Sequence, residues 1–308
     1  MRKLVLSLAL VVLIVVTCLK LVSLGQRPDS SFDARVARPA YTSKHPVVLF
    51  DEGHYNSHSL RSGFRAFGEL LRNDGYAIEA TSKPFTAQTL AGVDVVVIVN
   101  AAGGSNPKLL GLNLVPLRKG RREAPAFGVA EVAALRQWVA NGGSLLLVAD
   151  HYPFGPAAAG LAETFGVTMH GGFAEVPAQN DSNRIVYSRA NALLADTPIA
   201  AGRNASERLE QVVSFTGQSL DVRNGTPLLK LPAGAIEYVP PPPRFTKKPA
   251  GTTQAAAIEF GRGRVVVIGE AGMLTAQIAK GERFGMNVPG NDNRQFVLNL
   301  MHWLSRVL

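Results

Sequence analysis

Short hydrophobic runs alternate with amphipathic segments along most of the chain. The runs at 47–50, 93–99 and 145–149 are almost entirely apolar, as expected of strands that are buried on both sides of a sheet. Between them, 60–71 and 129–139 repeat apolar residues at helical spacing and end at Asn- and Gly-rich turns. This alternation predicts an α/β fold built on a doubly wound, flavodoxin-like parallel sheet.

Two stretches interrupt the alternation. Residues 103–127 form a long loop rich in Gly, Pro and Arg. Residues 168–253 indicate a β-rich insertion, with strands at 209–215, 228–231 and 236–239 and a proline run at 240–243. The α/β pattern resumes at 255–260 and 264–268, which a turn at 261–263 joins, and the chain ends in a helix. We therefore predict one α/β domain at 45–308, with the insertion at about 168–253.

The first 25 residues have the pattern of a signal peptide or an N-terminal membrane anchor. Arg2 and Lys3 precede an apolar stretch that continues to Leu24 with little interruption. Because positive charge stays on the cytoplasmic side, the domain is expected outside the cytoplasm, anchored in the membrane of the cell envelope or secreted to the periplasm. Residues 26–44 are polar, contain prolines and are predicted to be a linker.

Composition narrows the possible functions. The net charge is +9, but the basic residues are scattered and lack interleaved aromatic residues, so nucleic acid is not an expected partner. The single cysteine, Cys18, belongs to the N-terminal segment. The domain at 45–308 therefore has no internal disulfide, thiol nucleophile or cysteine metal ligand.

Polar residues follow several of the predicted strands at the point where each strand ends. In open α/β sheets, ligands bind beyond the carboxyl ends of the strands, so we predict that these residues meet in one pocket. Each residue taken alone has another interpretation, such as capping the next helix. The predicted site residues of this edge are Asp51, Glu52, His54, Asn56, Gly103, Asp150, His151 and Glu270.

A second polar stretch, residues 284–295, precedes the C-terminal helix. Asn287 and Asn293 are predicted to reach the same pocket through amide hydrogen bonds, and the alternative is that this stretch caps the helix. His58 lies four residues after His54, across a junction between a loop and a helix, and we expect it outside the site.

Two functions fit this pocket. One is a metal-assisted hydrolase, in which Asp51, His54, Asp150 and His151 bind zinc or manganese and Glu52 or Glu270 acts as general base. Its catalytic residues would be Glu52, Asp150, His151 and Glu270. The alternative is a catalytically inactive accessory module of an envelope complex, which binds a small polar ligand or a protein partner.

Four segments resemble the class I glutamine amidotransferase-like superfamily, in particular its envelope-located branches. They are VVLFDEGHYN (47–56), GGSLLLVADHYPFG (142–155), GRVVVIGEAG (263–272) and NDNRQFVLNLMHWL (291–304). The resemblance covers about residues 46–167 and 255–306. It implies that Asp150 and His151 stand where that family has its nucleophilic cysteine, and that Glu270 lies near the position of the family's acid. The chain departs from the family pattern in having no histidine just before Glu270. Without a thiolate, glutaminase activity is excluded.

Overall fold

The computed structural model describes residues 26–104, 108–109, 112–113, 123–181, 183–240 and 244–308. The predicted signal peptide or membrane anchor at 1–25, residues 241–243 of the proline run and most of the long loop lie outside the described residues. Within the described part of the chain, no helix is both long enough and apolar enough to cross a membrane.

The described residues form nineteen strands and five α-helices. The strands are β1 (Arg27–Pro28), β2 (Val47–Asp51), β3 (Ala77–Thr81), β4 (Val95–Val99), β5 (Lys108–Leu109), β6 (Leu112–Asn113), β7 (Ser144–Val148), β8 (Val167–Met169), β9 (Phe173–Glu175), β10 (Ile185–Ser188), β11 (Gln211–Ser214), β12 (Leu220–Val222), β13 (Thr226–Lys230), β14 (Ile236–Val239), β15 (Thr246–Pro249), β16 (Thr253–Phe260), β17 (Gly263–Ile268), β18 (Ala276–Ala279) and β19 (Glu282–Gly285). The helices are α1 (Arg65–Asn73), α2 (Val129–Ala140), α3 (Phe154–Thr164), α4 (Pro198–Ala201) and α5 (Asn293–Leu304).

A nine-stranded sheet forms the centre of the fold. Its order is β3-β2-β4-β7-β17-β16-β12-β8, and β13 also pairs with β16. The first five strands in this order, β3, β2, β4, β7 and β17, are parallel to one another. The carboxyl ends of β2, β4, β7 and β17 therefore meet at one edge. The other pairings are antiparallel, beginning with the β16–β17 hairpin. The mixed α/β class is thus confirmed, but the sheet is mixed rather than wholly parallel.

Helices cover both faces of the parallel strands. Residues of α1 and α5 pack with Val95, Val97 and Val99, whereas residues of α2 and α3 pack with Val96 and Ile98 on the opposite face. All five residues of β4 are buried, which explains why this strand is a continuous apolar run rather than an alternating one. Helix α1 begins at Arg65, later than its pattern predicts, because the segment before it forms hydrogen-bonded turns.

The insertion is β-rich, and part of it extends the main sheet. Its strands β12 and β13 pair with β16, and β12 also pairs with β8. The remainder forms a three-stranded sheet, β15-β14-β9, and a β10–β11 pair. Strands β11, β13 and β14 match the three predicted strands to within two residues at each end.

Residues 26–44, which we predict as a linker, lie against the domain. β1 pairs with β18 close to the strand-end edge. Farther along, the Ala40 amide donates to the Asp74 carboxylate, and the Tyr41 hydroxyl donates to the Ser305 carbonyl. These contacts make the segment a strap that crosses the molecule and is part of its folded structure.

Candidate functional site

A cavity of about 310 Å³ opens at the carboxyl ends of β4, β7 and β17. Its volume lies at the lower end of the range for small-molecule pockets. Three of the predicted site residues line it, namely Asp150, His151 and Glu270. The parallel pairing explains this meeting, because Val99 is in register with Val148, and Val148 with Ile268.

Asn100 positions the Asp150 turn. Asn100 follows β4 with φ of 46°, a left-handed conformation that asparagine adopts more readily than most residues. Its side-chain oxygen accepts a hydrogen bond from the Asp150 amide at 2.8 Å, and its carbonyl accepts one from the Ser57 amide. Asn100 therefore joins the loops after β2, β4 and β7, and it also lines the cavity.

His151 is oriented by its backbone neighbours. Its Nδ1 donates to the carbonyl of Tyr152 at 2.9 Å, since a carbonyl can only accept. In the neutral ring, Nε2 is then the acceptor, and it lies 3.9 Å from Asp150 Oδ1. The ring stacks on Phe173 at a centroid distance of 4.2 Å, which fixes its plane.

Glu270 is a carboxyl group with almost no access to solvent. Its side chain accepts hydrogen bonds from the amides of Gly272 and Met273 at 2.6 and 2.7 Å. Burial, followed by the negative charge of Asp150, raises the pKa of Glu270 well above its ordinary value, and the backbone donors only partly oppose this. The cavity therefore holds a protonated carboxyl group close to a carboxylate.

His58 lines the cavity, contrary to our prediction. Its ring packs against Phe64 at a centroid distance of 5.4 Å. Burial lowers the pKa of His58, and the negative charge of Asp150 offsets this only in part, so the ring is neutral at pH 7. The prediction failed because the segment before α1 turns back towards the strand ends instead of continuing the helix.

Asp51 and His54 belong to a separate cluster. His54 Nδ1 bonds Asp51 Oδ1 at 2.8 Å, and Nε2 bonds Glu131 Oε1 of α2 at 3.0 Å. Asn56 donates to the Asp51 carboxylate and to the Val99 carbonyl. None of the predicted residues in this cluster lines the cavity. The sequence did not reveal the role of Glu131, because Glu131 is 77 residues away from His54.

The cluster explains the charge state of His54. Burial lowers the pKa of His54, but the hydrogen bonds and negative charges of Asp51 and Glu131 together outweigh it and raise the pKa. For Glu131, burial raises the pKa, and donors that include Gly128, Phe85 and His54 bring it below the ordinary value. An imidazolium held between two carboxylates ties the loop after β2 to the start of α2.

We expect this cluster to stabilise the fold most at mildly acidic pH. Because the folded pKa of His54 is raised, its contribution is complete below the unfolded value of 6.5 and is lost as pH rises through the folded pKa. His54→Gln should therefore cost about 1–2 kcal/mol more at about pH 5.5 than at about pH 9, measured by urea unfolding.

The exposed histidine His45 provides the control for this measurement. Among the described residues its ring bonds the Gly75 carbonyl and no carboxylate, so His45→Gln should lack that pH dependence. An equal cost of His54→Gln at both pH values would contradict the charged cluster.

The other predicted site residues have structural contacts. Glu52 accepts a hydrogen bond from the Leu60 amide, and Gly103 lies against the Ala124 carbonyl, where a Cβ would be only 2.2 Å from the oxygen. Asn287 donates to Asp29 and to the Gln277 carbonyl. Asn293 exchanges hydrogen bonds with the backbone of Val213. None of these four lines the cavity.

The predicted metal ligands do not come together. In the parts of the chain that the structure describes, no three His, Cys, Asp or Glu side chains form a group that could hold a metal ion. Asp51 and His54 bond each other in one cluster, while Asp150 and His151 lie in the cavity. The geometry therefore gives no support to a zinc or manganese site composed of these four residues.

Comparison with known proteins shows the fold but no family. No family model matches the chain. No curated protein matches it either.

Among solved structures, the chain is similar to the "mmIFT52 N-terminal domain", with a TM-score of 0.57, 15% identity and coverage of 84% of this chain and 97% of that one. It also matches a cytoplasmic protein from Salmonella typhimurium, with a TM-score of 0.47, 15% identity and coverage of 84% and 98%. A putative ThuA-like protein from Bacteroides uniformis matches with a TM-score of 0.42, 14% identity and coverage of 87% and 95%.

The amidotransferase-like assignment is therefore wrong. No family model supports it, and a solved structure that does share the fold is an IFT52 domain. The four segments on which it rested are strand ends and a buried helix, and such features accompany many α/β sheets. At 15% identity, the similarity to the mmIFT52 domain shows the fold alone.

Proposed function

We propose that the domain is a binding module whose cavity at the strand ends takes a small polar ligand. The observation that carries the proposal is the cavity lined by Asp150, His151 and Glu270. A buried carboxyl group near a carboxylate lowers the stability of the folded protein, and groups with such strongly shifted pKa values are candidates for functional sites. Proteins tolerate such costs mainly at functional sites.

The backbone at the wall of the cavity also favours a functional site. Thr216 lines the cavity with φ of 82°, which is a genuine outlier for a β-branched residue. Such a conformation costs on the order of 1–3 kcal/mol and persists only where the surroundings impose it. Gly217, which follows, has φ of 94° and lies so close to Glu270 that a Cβ there would contact that side chain.

The architecture and location that we propose agree with a ligand site at this edge. The parallel strands, numbered along the chain, have the order 2-1-3-4-5, and helices cover both faces, which supports a doubly wound, flavodoxin-like core.

The N-terminal segment supports an exported domain, anchored in or released from the membrane of the cell envelope, because Arg2 and Lys3 precede a long apolar stretch. A protein partner in the envelope would then deliver or receive the ligand.

We expect saturable binding of a small polar compound that is lost when the cavity is filled. The folded chain would be titrated with monosaccharides, amino sugars and amino alcohols by isothermal calorimetry. Ser57 lies at the cavity and is exposed, so Ser57→Trp should weaken binding at least about tenfold. Ala80→Trp, at an exposed position of β3 outside the cavity, should leave it unchanged. Absence of binding by any compound, or equal binding to Ser57→Trp, would refute the proposal.

A hydrolase that needs no metal is the second candidate. The observation that favours it is the protonated Glu270 near the Asp150 carboxylate, since pairs of carboxyl groups with separated pKa values serve as acid and base. Incubation with nitrophenyl glycosides separates the two functions. Release of nitrophenol that Asp150→Asn abolishes would assign hydrolysis, whereas binding without release supports the binding module.

A further inference from the structure

We propose that the cavity selects ligands that carry a protonated amine, an inference that rests on the proposed binding function and specifies its ligand class. The charge of the described cavity lining differs from that of the whole chain. The chain has a net charge of +9, yet none of the described residues that line the cavity is a lysine or an arginine. Negative charge in this lining comes from Asp150, because Glu270 is protonated and His58 is held neutral.

This charge arrangement discriminates between ligands. A phosphate or carboxylate ligand would have to leave water and approach Asp150 without a cationic partner in the described lining. An ammonium group would instead pair with the Asp150 carboxylate, whose side chain is only 15% exposed, so solvent screens the attraction weakly. Like charges in contact are strongly unfavourable in such sites, which makes the exclusion of anions the stronger effect.

Aromatic rings add a second attraction for a cation. Phe154, Phe215 and Phe284 line the cavity, and the rings of Phe215 and Phe284 are tilted against each other at a centroid distance of 4.5 Å. The face of an aromatic ring attracts a cation within about 6 Å. The guanidinium of Arg184 already lies 5.7 Å from the Phe215 centroid, so we assign the attraction for a ligand cation to Phe284.

Neutral polar groups complete the recognition. Nε2 of His151 is an acceptor in the neutral ring and lies on the Asp150 side of the imidazole. Two acceptors about 4 Å apart suit the several N–H donors of one ammonium group. The hydroxyl groups of Ser57 and Thr216 and the amides of Asn100 and Gln277 also line the cavity, and they would bind hydroxyl groups on the rest of the ligand.

Glucose and two of its derivatives of similar size test the preference for a protonated amine. At about pH 7, D-glucosamine is mainly a cation, D-glucose is neutral and D-glucuronate is an anion. By isothermal calorimetry, we expect D-glucosamine to bind about tenfold or more tightly than D-glucose, and D-glucuronate to bind least. Asp150→Asn should reduce the preference for D-glucosamine to about threefold or less. Glu79→Gln, which neutralises an exposed carboxylate on β3, should preserve it.

The outcomes separate this inference from the proposed function. If D-glucose or D-glucuronate binds as tightly as D-glucosamine, the amine preference is refuted while the binding function stands. If the whole compound panel fails to bind, the binding function itself fails. Should Asp150→Asn not fold, Asp150→Ser tests the same point, because it also removes the carboxylate while keeping an oxygen that can accept the His151 amide. An unchanged preference in that variant would then refute the inference.

Discussion

Replacing Asp74 by alanine is expected to lower the free energy of unfolding by about 3–5 kcal/mol, as loss of one partner from a buried pair does. Asp74 and His302 are both fully buried, and Nε2 of the imidazole lies 2.7 Å from Asp74 Oδ2. The other carboxylate oxygen accepts the amide of Ala40. The substitution would leave the buried imidazole N–H of His302 and the partly buried backbone N–H of Ala40 without acceptors.

Urea unfolding at constant pH measures this loss, and an exposed ion pair provides the control. Asp196 bonds Arg189 at 3.0 Å, but its side chain is 87% exposed, so Asp196→Ala should cost less than about 1 kcal/mol. Equal losses in the two variants would show that the Asp74–His302 pair is not a buried support of the fold. Because Asp74 also bonds Ala40, Asp74→Ala should make the strap at 26–44 more susceptible to proteolysis.

Asp74 illustrates what the sequence could predict and what it could not. Asn73, Asp74 and Gly75 predict the end of a helix, and α1 does end at Asn73. The partner of Asp74 is 228 residues away on α5, and no local pattern links the two. The same limit applies to the strap, because prolines and polar residues look like a linker until the long-range bonds of Ala40 and Tyr41 are seen.

The candidate site was predictable to the extent that it depends on strand ends. Buried parallel strands have a clear apolar signature, and the residues after them must meet at one edge, which correctly brought Asp150, His151 and Glu270 together. The direction of a side chain at that edge depends on loop geometry, which the sequence pattern does not contain. Asp51 and His54 therefore formed their own cluster with Glu131, and His58 entered the cavity instead.

Gln218 shows how strongly the cavity depends on a residue without any sequence signal. It is fully buried in the insertion, and its amide nitrogen donates to the carbonyls of Ala149 and Asp150 at 2.8 and 3.1 Å. Its amide oxygen accepts the Gly171 amide at 2.6 Å. One side chain therefore fastens the turn that carries Asp150 to the loop before β9.

Gln218→Ala is expected to lower the free energy of unfolding by about 2–4 kcal/mol, because it leaves buried backbone groups of Gly171 and Ala149 unpaired. Urea unfolding measures the loss. The matched control is Gln179→Ala, since the Gln179 amide bonds both backbone groups of Val186 but is half-buried, and water can replace it at a cost of about 1 kcal/mol or less.

The same substitution separates a positioning role from simple stability. If Gln218 holds the Asp150 turn in the geometry that the ligand needs, the folded Gln218→Ala protein should bind D-glucosamine at least about fivefold more weakly, whereas Gln179→Ala should bind it as the unaltered chain does. Unaltered affinity in folded Gln218→Ala would mean that the turn keeps its shape without this amide. Gln218 would then stabilise the join between the insertion and the sheet, without a part in recognition.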